Sequence, residues 1–239
     1  MRLRPVDSPP QASSGGKSNS VNGLAGFAAA SLLAGASVIA PVLALFSTAA
    51  LIPEASAACP GAEVVFARGR EEPRGLGQVG DALVNSLRSK VHMPVGAYGV
   101  NYPADISAAK GANDMSAHVQ FMARSCPNTR EVLGGYSLGA ASADLVIALT
   151  QPGFGFTDPL PPGMDQHVAA VALFGNGTRR VLGPVPDFSP AFAGKTIEEC
   201  ASGDPICSGG AAEWSSHLQP AYIDSGLVDQ AAGFVAGKL

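Results

Sequence analysis

Charge is scarce in this chain. Only 14% of its 239 residues are ionisable Asp, Glu, Lys or Arg, with 15 cations against 19 anions. So few cations cannot build the basic face that neutralises a run of phosphates, and nucleic acid is excluded as a partner. Aromatic residues are sparse as well, at 6% with one tryptophan, yet 46% of the chain is hydrophobic, enough for a core and too much for a disordered polypeptide. Histidines and cysteines number four each. No Cys-x-x-Cys pair occurs and no histidine stands at ligand spacing from a cysteine, which argues against zinc. Long apolar runs are missing outside one amino-terminal stretch, so a multi-spanning membrane protein is excluded too.

That stretch has the layout of an export signal. Arg2, Arg4 and Lys17 precede it, no charge occurs from Ser18 to Pro53, and Ala55-Ser56-Ala57 supplies small residues at signal-peptidase spacing. The apolar run from Val21 to Ile52 would extend about 45 Å as a helix, more than a ~30 Å hydrocarbon core. Residues 1–58 are therefore expected to be a signal peptide or, if uncleaved, an N-terminal membrane anchor. Pro41 breaks the run and Ala-Ser-Ala ends it, which favours cleavage after Ala57 or Ala58. Either way residues 59–239 form one domain outside the cytoplasm, secreted or in the cell envelope, and membrane-anchored if the leader stays. Without Arg2, Arg4, Lys17, Asp7 and Glu54 that domain keeps 12 Lys and Arg against 17 Asp and Glu, a mildly acidic balance. All four cysteines fall inside it, an even set that suits an oxidising compartment. Three pairings are open; Cys59 with Cys126 and Cys200 with Cys207 is favoured.

Short β-branched runs alternate with helical periodicity along the domain. Strands are expected at 62–68, 95–102, 131–136, 168–174 and 195–200, and helices at 79–90, 106–124, 138–149 and near 222–237. This alternation predicts an α/β fold with a parallel sheet covered on both faces, and in such sheets ligands bind beyond the carboxyl ends of the strands.

Gly135-Tyr136-Ser137-Leu138-Gly139 spells the G-x-S-x-G nucleophile elbow, in which flanking glycines allow a sharp strand-to-helix turn that exposes the serine hydroxyl. In a chain with 29 glycines the pentapeptide alone is weak evidence. Its position strengthens it, because the apolar Glu131-Val132-Leu133 precedes it and an Ala-rich helix follows, whose first amides can stabilise an oxyanion. A serine hydroxyl needs a base, and on this fold the chain order is Ser, Asp or Glu, His. His92 and His118 come too early, and His167 opens a strand at the wrong end of the sheet. His217 remains, just before the last helix. Asp204 suits the orienting acid, since it follows the strand ending at Cys200 and lies between Cys200 and Cys207. Asp144, Asp158 and Asp165 read as solvated.

These residues together resemble the cutinase family, secreted α/β-hydrolases without a large lid, and most of all its mycobacterial and actinobacterial esterases. The likeness runs from Cys59 to Leu239 and rests on Phe66-Ala67-Arg68-Gly69, on Gly135-Tyr136-Ser137, on Cys200-x-x-x-Asp204-x-x-Cys207, and on His217 ahead of a helix ending Phe-Val-Ala-Gly-Lys-Leu. The resemblance implies a three-layer α/β/α sandwich around a five-stranded parallel sheet, both disulfide pairings, the Ser137–His217–Asp204 triad, and hydrolysis of lipid or short-to-medium-chain carboxylic esters without metal or cofactor. A monomer is expected, associated with membrane or envelope if the leader is retained. The amides of Leu138 and Arg70 are the expected oxyanion donors. Arg70 is a departure, because the family usually has a small hydroxyl residue there. The rival reading is accordingly a secreted binding or antigen-like protein with this fold and weakened catalysis.

Three other patterns are declined. Gly75-Leu76-Gly77-Gln78-Val79-Gly80 matches G-x-G-x-x-G but starts several residues after the first strand ends, so it lacks the tight turn of a dinucleotide site. Asn176-Gly177-Thr178 is a formal glycosylation sequon only. The proline-rich segment 151–166 is expected to be a packed surface loop at the amino edge, away from Ser137.

Overall fold

The computed structural model describes residues 59–210 and 212–239; the expected leader, residues 1–58, lies outside them. Five strands, β1 (Ala62–Ala67), β2 (Val95–Gly99), β3 (Arg130–Tyr136), β4 (Val168–Phe174) and β5 (Thr196–Glu199), form one sheet in the order β2-β1-β3-β4-β5, parallel throughout. The helices are α1 (Gly77–Lys90), α2 (Ala108–Ser125), α3 (Leu138–Ala148), α4 (Arg179–Leu182), α5 (Val185–Phe188), α6 (Gln219–Ile223) and α7 (Leu227–Ala236).

Strand periodicity sorts the core into two halves. Val65, Ala67, Leu133, Val171 and Leu173 point to one face of the sheet, where Met115 and Val119 of α2 and Ala140, Ala143 and Ile147 of α3 cover them. Val64, Phe66, Val132, Ala170 and Phe174 point to the other, under Val79, Leu83 and Leu87 of α1 and Val228, Ala231 and Val235 of α7. The result is the α/β/α sandwich that parallel strands buried on both faces require.

The chain reverses its direction of strand addition at β1, whose neighbours are β2 and β3. The crevice beyond the carboxyl ends of β1 and β3 is therefore the switch point where α/β sheets bind ligands. The expected last helix is in fact two, because Gly226 adopts φ 84° and turns the chain between α6 and α7.

Two disulfides close loops, Cys59–Cys126 across the start of the domain and Cys200–Cys207 just after β5. Their sequence separations of 67 and 7 correspond, on the chain-entropy argument, to about 4 and about 2.5 kcal/mol.

Candidate active site

Between β3 and α3 there is a single residue, Ser137, held at φ 55°, ψ −115°, a conformation that costs a non-glycine residue of order 1–3 kcal/mol. Its surroundings fix it there. Ser137 N–H donates to Phe174 O on β4 (2.9 Å), and its carbonyl accepts from Ala140 N–H (3.0 Å) and Ala141 N–H (3.3 Å). The two motif glycines are needed for space, not only for turning. A Cβ on Gly135 would lie 2.2 Å from Gly139 O, and one on Gly139 would lie 1.8 Å from Ala67 O. The start of α3 thus sits directly on β1, a fit that admits only hydrogen.

His217 ends a 3-10 turn, Trp214–His217, and is nearly buried at 4% exposure. Its Nε2 lies 2.8 Å from Ser137 Oγ and its Nδ1 2.7 Å from Asp204 Oδ2. The Tyr136 ring stacks on the imidazole (5.4 Å between centroids), the Trp214 ring lies 5.0 Å away, and the Tyr136 hydroxyl donates to the His217 carbonyl. Asp204 is wholly buried inside the loop closed by Cys200 and Cys207. Besides the imidazole, its carboxylate accepts Ile206 N–H at Oδ1 (2.6 Å) and the Tyr222 hydroxyl at Oδ2. Burial, and then the bond to Asp204 and its charge, hold the Tyr222 phenol well above its ordinary pKa, so it stays a donor. Two donors and the imidazole beside them thus satisfy this buried carboxyl.

The structure brings Ser137, His217 and Asp204 together and leaves the other histidines elsewhere. His118 lies on α2 and bonds Glu63 (2.7 Å), His92 is exposed after α1, and His167 precedes β4.

The turn after β1 faces the elbow and is braced from within. Arg68, 2% exposed, donates to the carbonyls of Glu72 (2.8 Å), Val100 (3.3 Å) and Tyr102 (2.7 Å). Glu72 accepts Gly69 N–H (2.6 Å) and Gln78 N–H (3.0 Å), so a carboxylate already fills the amides beside the G-x-G-x-x-G pattern. Glu71, at φ 64°, donates its N–H to Ala104 O (2.8 Å). The backbone bonds of this turn pass over Arg70, as those of the elbow pass over Leu138. The Arg70 side chain lies at the cleft, more than half exposed, with Nε 3.7 Å from Glu71 Oε1.

Ser137 opens into a cleft of about 1090 Å³. Its floor is one face of α3: Leu138, Ala141, Asp144, Leu145, Ala148 and, just past the helix, Leu149. Around it stand Ile106, Phe154, Val181, Leu182, Trp214 and Leu218, which are all but one of the large exposed hydrophobic side chains among the described residues, Phe121 being the exception. An apolar surface gathered in one place marks a binding site.

Two expectations are corrected here. Segment 151–166 does reach the site. A turn from Gly153 to Phe156 is anchored by the buried Phe156 and by Asn113, whose Oδ1 accepts Thr157 N–H (2.8 Å) and Asp158 N–H (3.2 Å), and it carries Phe154 onto the cleft. The cleft runs the whole length of α3, so a segment at the amino edge still borders it. Asp144 is not solvated but 2% exposed, with its Oδ2 on the Thr178 hydroxyl. The sequon residue Asn176 is likewise 2% exposed, bonded through Nδ2 to Glu198 (3.2 Å), which closes it to a glycan in the folded chain.

The Cutinase family pattern matches residues 58–239. The chain belongs to the cutinase family. It is 56% identical over 217 residues, 89% of this chain and 94% of the relative, to the Probable carboxylesterase Culp2 of Mycobacterium tuberculosis. It is 54% identical over 198 residues, 82% of this chain and 86% of the relative, to Phospholipase Culp4 of the same organism. Among solved structures, Trichoderma reesei cutinase in complex with a C11Y4 phosphonate inhibitor aligns at a TM-score of 0.58 with 30% identity over 75% of this chain and 77% of that one. The catalytic core domain of acetyl xylan esterase from Trichoderma reesei aligns at 0.63 with 26% identity, over 76% of this chain and 100% of that one. This cutinase-family chain is an ester hydrolase.

Sequence reasoning missed Tyr222, Phe154, Asp144 and Thr178. Only the position of Tyr222, five residues after His217 in the helix that follows it, carried any signal.

Proposed function

We propose that this protein hydrolyses carboxylic esters with an apolar acyl chain through an acyl-enzyme on Ser137, and does so outside the cytoplasm. The observation that carries the reading is the bridging imidazole, 2.8 Å from Ser137 Oγ on one side and 2.7 Å from Asp204 Oδ2 on the other. His217 takes the Ser137 proton as Oγ attacks the acyl carbonyl, then returns it to the departing alcohol. Water repeats the sequence to release the acid. Asp204 keeps Nδ1 protonated and stabilises the transient imidazolium. The amides of Leu138 and Arg70 receive the oxyanion, helped by the amino end of α3. In this reading Arg70 contributes its amide and not its side chain, so the missing hydroxyl does not abolish catalysis.

The apolar floor and rim support an acyl substrate, and the name of the phospholipase relative adds phospholipids to the esters worth testing. The two disulfides support an oxidising location. A serine-directed phosphonate should label the wild type and not Ser137→Ala, and p-nitrophenyl butyrate turnover should fall in that variant by about 10⁴ or more. A folded wild type inert to both reagents would overturn the reading.

A further inference from the structure

One carboxyl interrupts the apolar floor of the cleft. Along α3 the lining positions lie on a single helix face, and at 1.5 Å per residue Asp144 stands about 9 Å and Leu149 about 16 Å beyond Leu138. An acetyl or butyryl group laid along α3 from Ser137 would end short of Asp144, and a longer chain laid the same way would pass it.

The bonds around Asp144 can be counted in protons. Its Oδ2 meets Thr178 Oγ1, which also lies 2.6 Å from Asn176 Oδ1. The Asn176 amide is oriented, because its Nδ2 donates to Glu198 Oε1 (3.2 Å) and its Oδ1 accepts Thr178 N–H (3.1 Å). One hydroxyl proton therefore faces two acceptor oxygens. Both contacts become hydrogen bonds only when Asp144 supplies the second proton, donating to Thr178 while Thr178 donates to Asn176. Burial acts in the same direction and lifts the Asp144 acid to about 6, with the nearby Thr178 and Asn176 side chains acting against it and the Glu198 charge with it. Its Oδ1 is buried without a partner among the described residues.

The other charges nearby are committed elsewhere. Glu198 on β5 pairs with Arg179 of α4 (3.1 Å), and on α2 Lys110 pairs with Asp105 (3.3 Å) while Asp114 accepts from Tyr98 (3.0 Å) and Asn101 (2.8 Å). His118, also on α2, holds Glu63, and across the cleft Asp204 and His217 hold each other. Thr178 immediately precedes α4, which carries Val181 and Leu182 of the opposite lip. Asp144 thus ties floor to lip at the point where a long chain crosses.

We propose that Asp144 sets the length of acyl chain the cleft accepts, as a neutral acid whose proton binds Thr178, and with it the α4 lip, to the groove floor. Asp144 is a positioning residue here, and the inference rests on the acyl-enzyme reading above. When the acid ionises, the Thr178 contact lacks a proton and a charge lies just beneath the groove floor, so long esters bind worse while short ones do not reach it.

The test compares kcat/KM for p-nitrophenyl decanoate and butyrate, both kept monomeric, from about pH 5 to about pH 8, and uses their ratio so that any pH dependence common to both esters cancels. In the wild type the decanoate-to-butyrate ratio should fall about tenfold across this range, through KM. In Asp144→Asn, where an amide N–H replaces the acid proton, the ratio should stay flat. Thr178→Val should lower the ratio at every pH and couple non-additively with Asp144→Ala. A wild-type ratio that does not move with pH, or equal losses on both esters in Thr178→Val, overturns the proposal alone. Should Thr178→Val not fold, the comparison of wild type with Asp144→Asn still decides. If the wild type neither turns over butyrate nor takes the phosphonate, the acyl-enzyme reading fails and this proposal with it.

Discussion

Glu131 should make the domain less stable in alkali, and replacing it with glutamine should remove that weakness. It lies near the start of β3, between Glu63 of β1 and Val168 of β4, at 1% exposure, with no partner for either carboxyl oxygen among the described residues. Burial first, and the Glu63 charge second, raise its pKa from 4.5 to about 8. The folded chain therefore keeps a proton that the unfolded chain releases. This contribution to stability is complete below about pH 4.5 and is lost as pH rises through about 8. At about 1.4 kcal/mol per unit the whole span amounts to about 5 kcal/mol, and to about 3 kcal/mol by neutrality, against a typical domain stability of 5–15 kcal/mol. Glu131→Gln preserves shape and cannot ionise. Urea unfolding with the disulfides intact should find the two proteins within about 1 kcal/mol near pH 5, and the variant about 3–5 kcal/mol more stable near pH 9. A gap that is the same at both ends, or a wild type that gains on the variant in alkali, would refute the reasoning.

Three further outcomes follow from the site. Tyr222→Phe removes one donor from the buried Asp204 and should lower kcat on a short ester about tenfold with little change in KM; an unchanged kcat would show that Ile206 and His217 hold the carboxylate unaided. Gly139→Ala forces a methyl into the Ala67 carbonyl and should cost more than about 3 kcal/mol, measured by thermal melting, and a variant that melts like the wild type would contradict the close seating of α3 on β1. Arg70→Thr should change kcat/KM on p-nitrophenyl butyrate less than about threefold, since the side chain leans on Glu71; a tenfold rise would mean that a hydroxyl donor was the missing part of the oxyanion site.

Much of this was legible in the sequence because each part obeys a local rule. β3 and β4 are short apolar runs that stop at turns, and Ser137, Asp204 and His217 each follow a strand's carboxyl end or precede a helix. The cleft obeys no such rule. α3 is apolar on nearly every side, and Leu145 on its outward face looks no different in sequence from Ile147 on its inward one. Which face becomes core and which becomes groove depends on where Phe154 and Val181 arrive from distant segments. Asp144 was misread for the same reason. A helical aspartate faces water by default, and only the return of Thr178 after β4 covers it. Tyr222 reaches Asp204 because α6 is short and turns at Gly226, a break that the apolar periodicity of the last helix hides.

The Cys200–Cys207 bridge also has a bearing on timing. Asp204 sits on the six residues it encloses, alongside backbone bonds from Asp204 N–H to Ala201 O (3.0 Å) and from Ser208 N–H to Asp204 O (2.9 Å). A newly made chain whose thiols are still reduced lacks the covalent member of that set, and its carboxylate has more conformations to search before it meets His217. Closing the bond shortens that search, because the enclosed loop loses most of its open conformations.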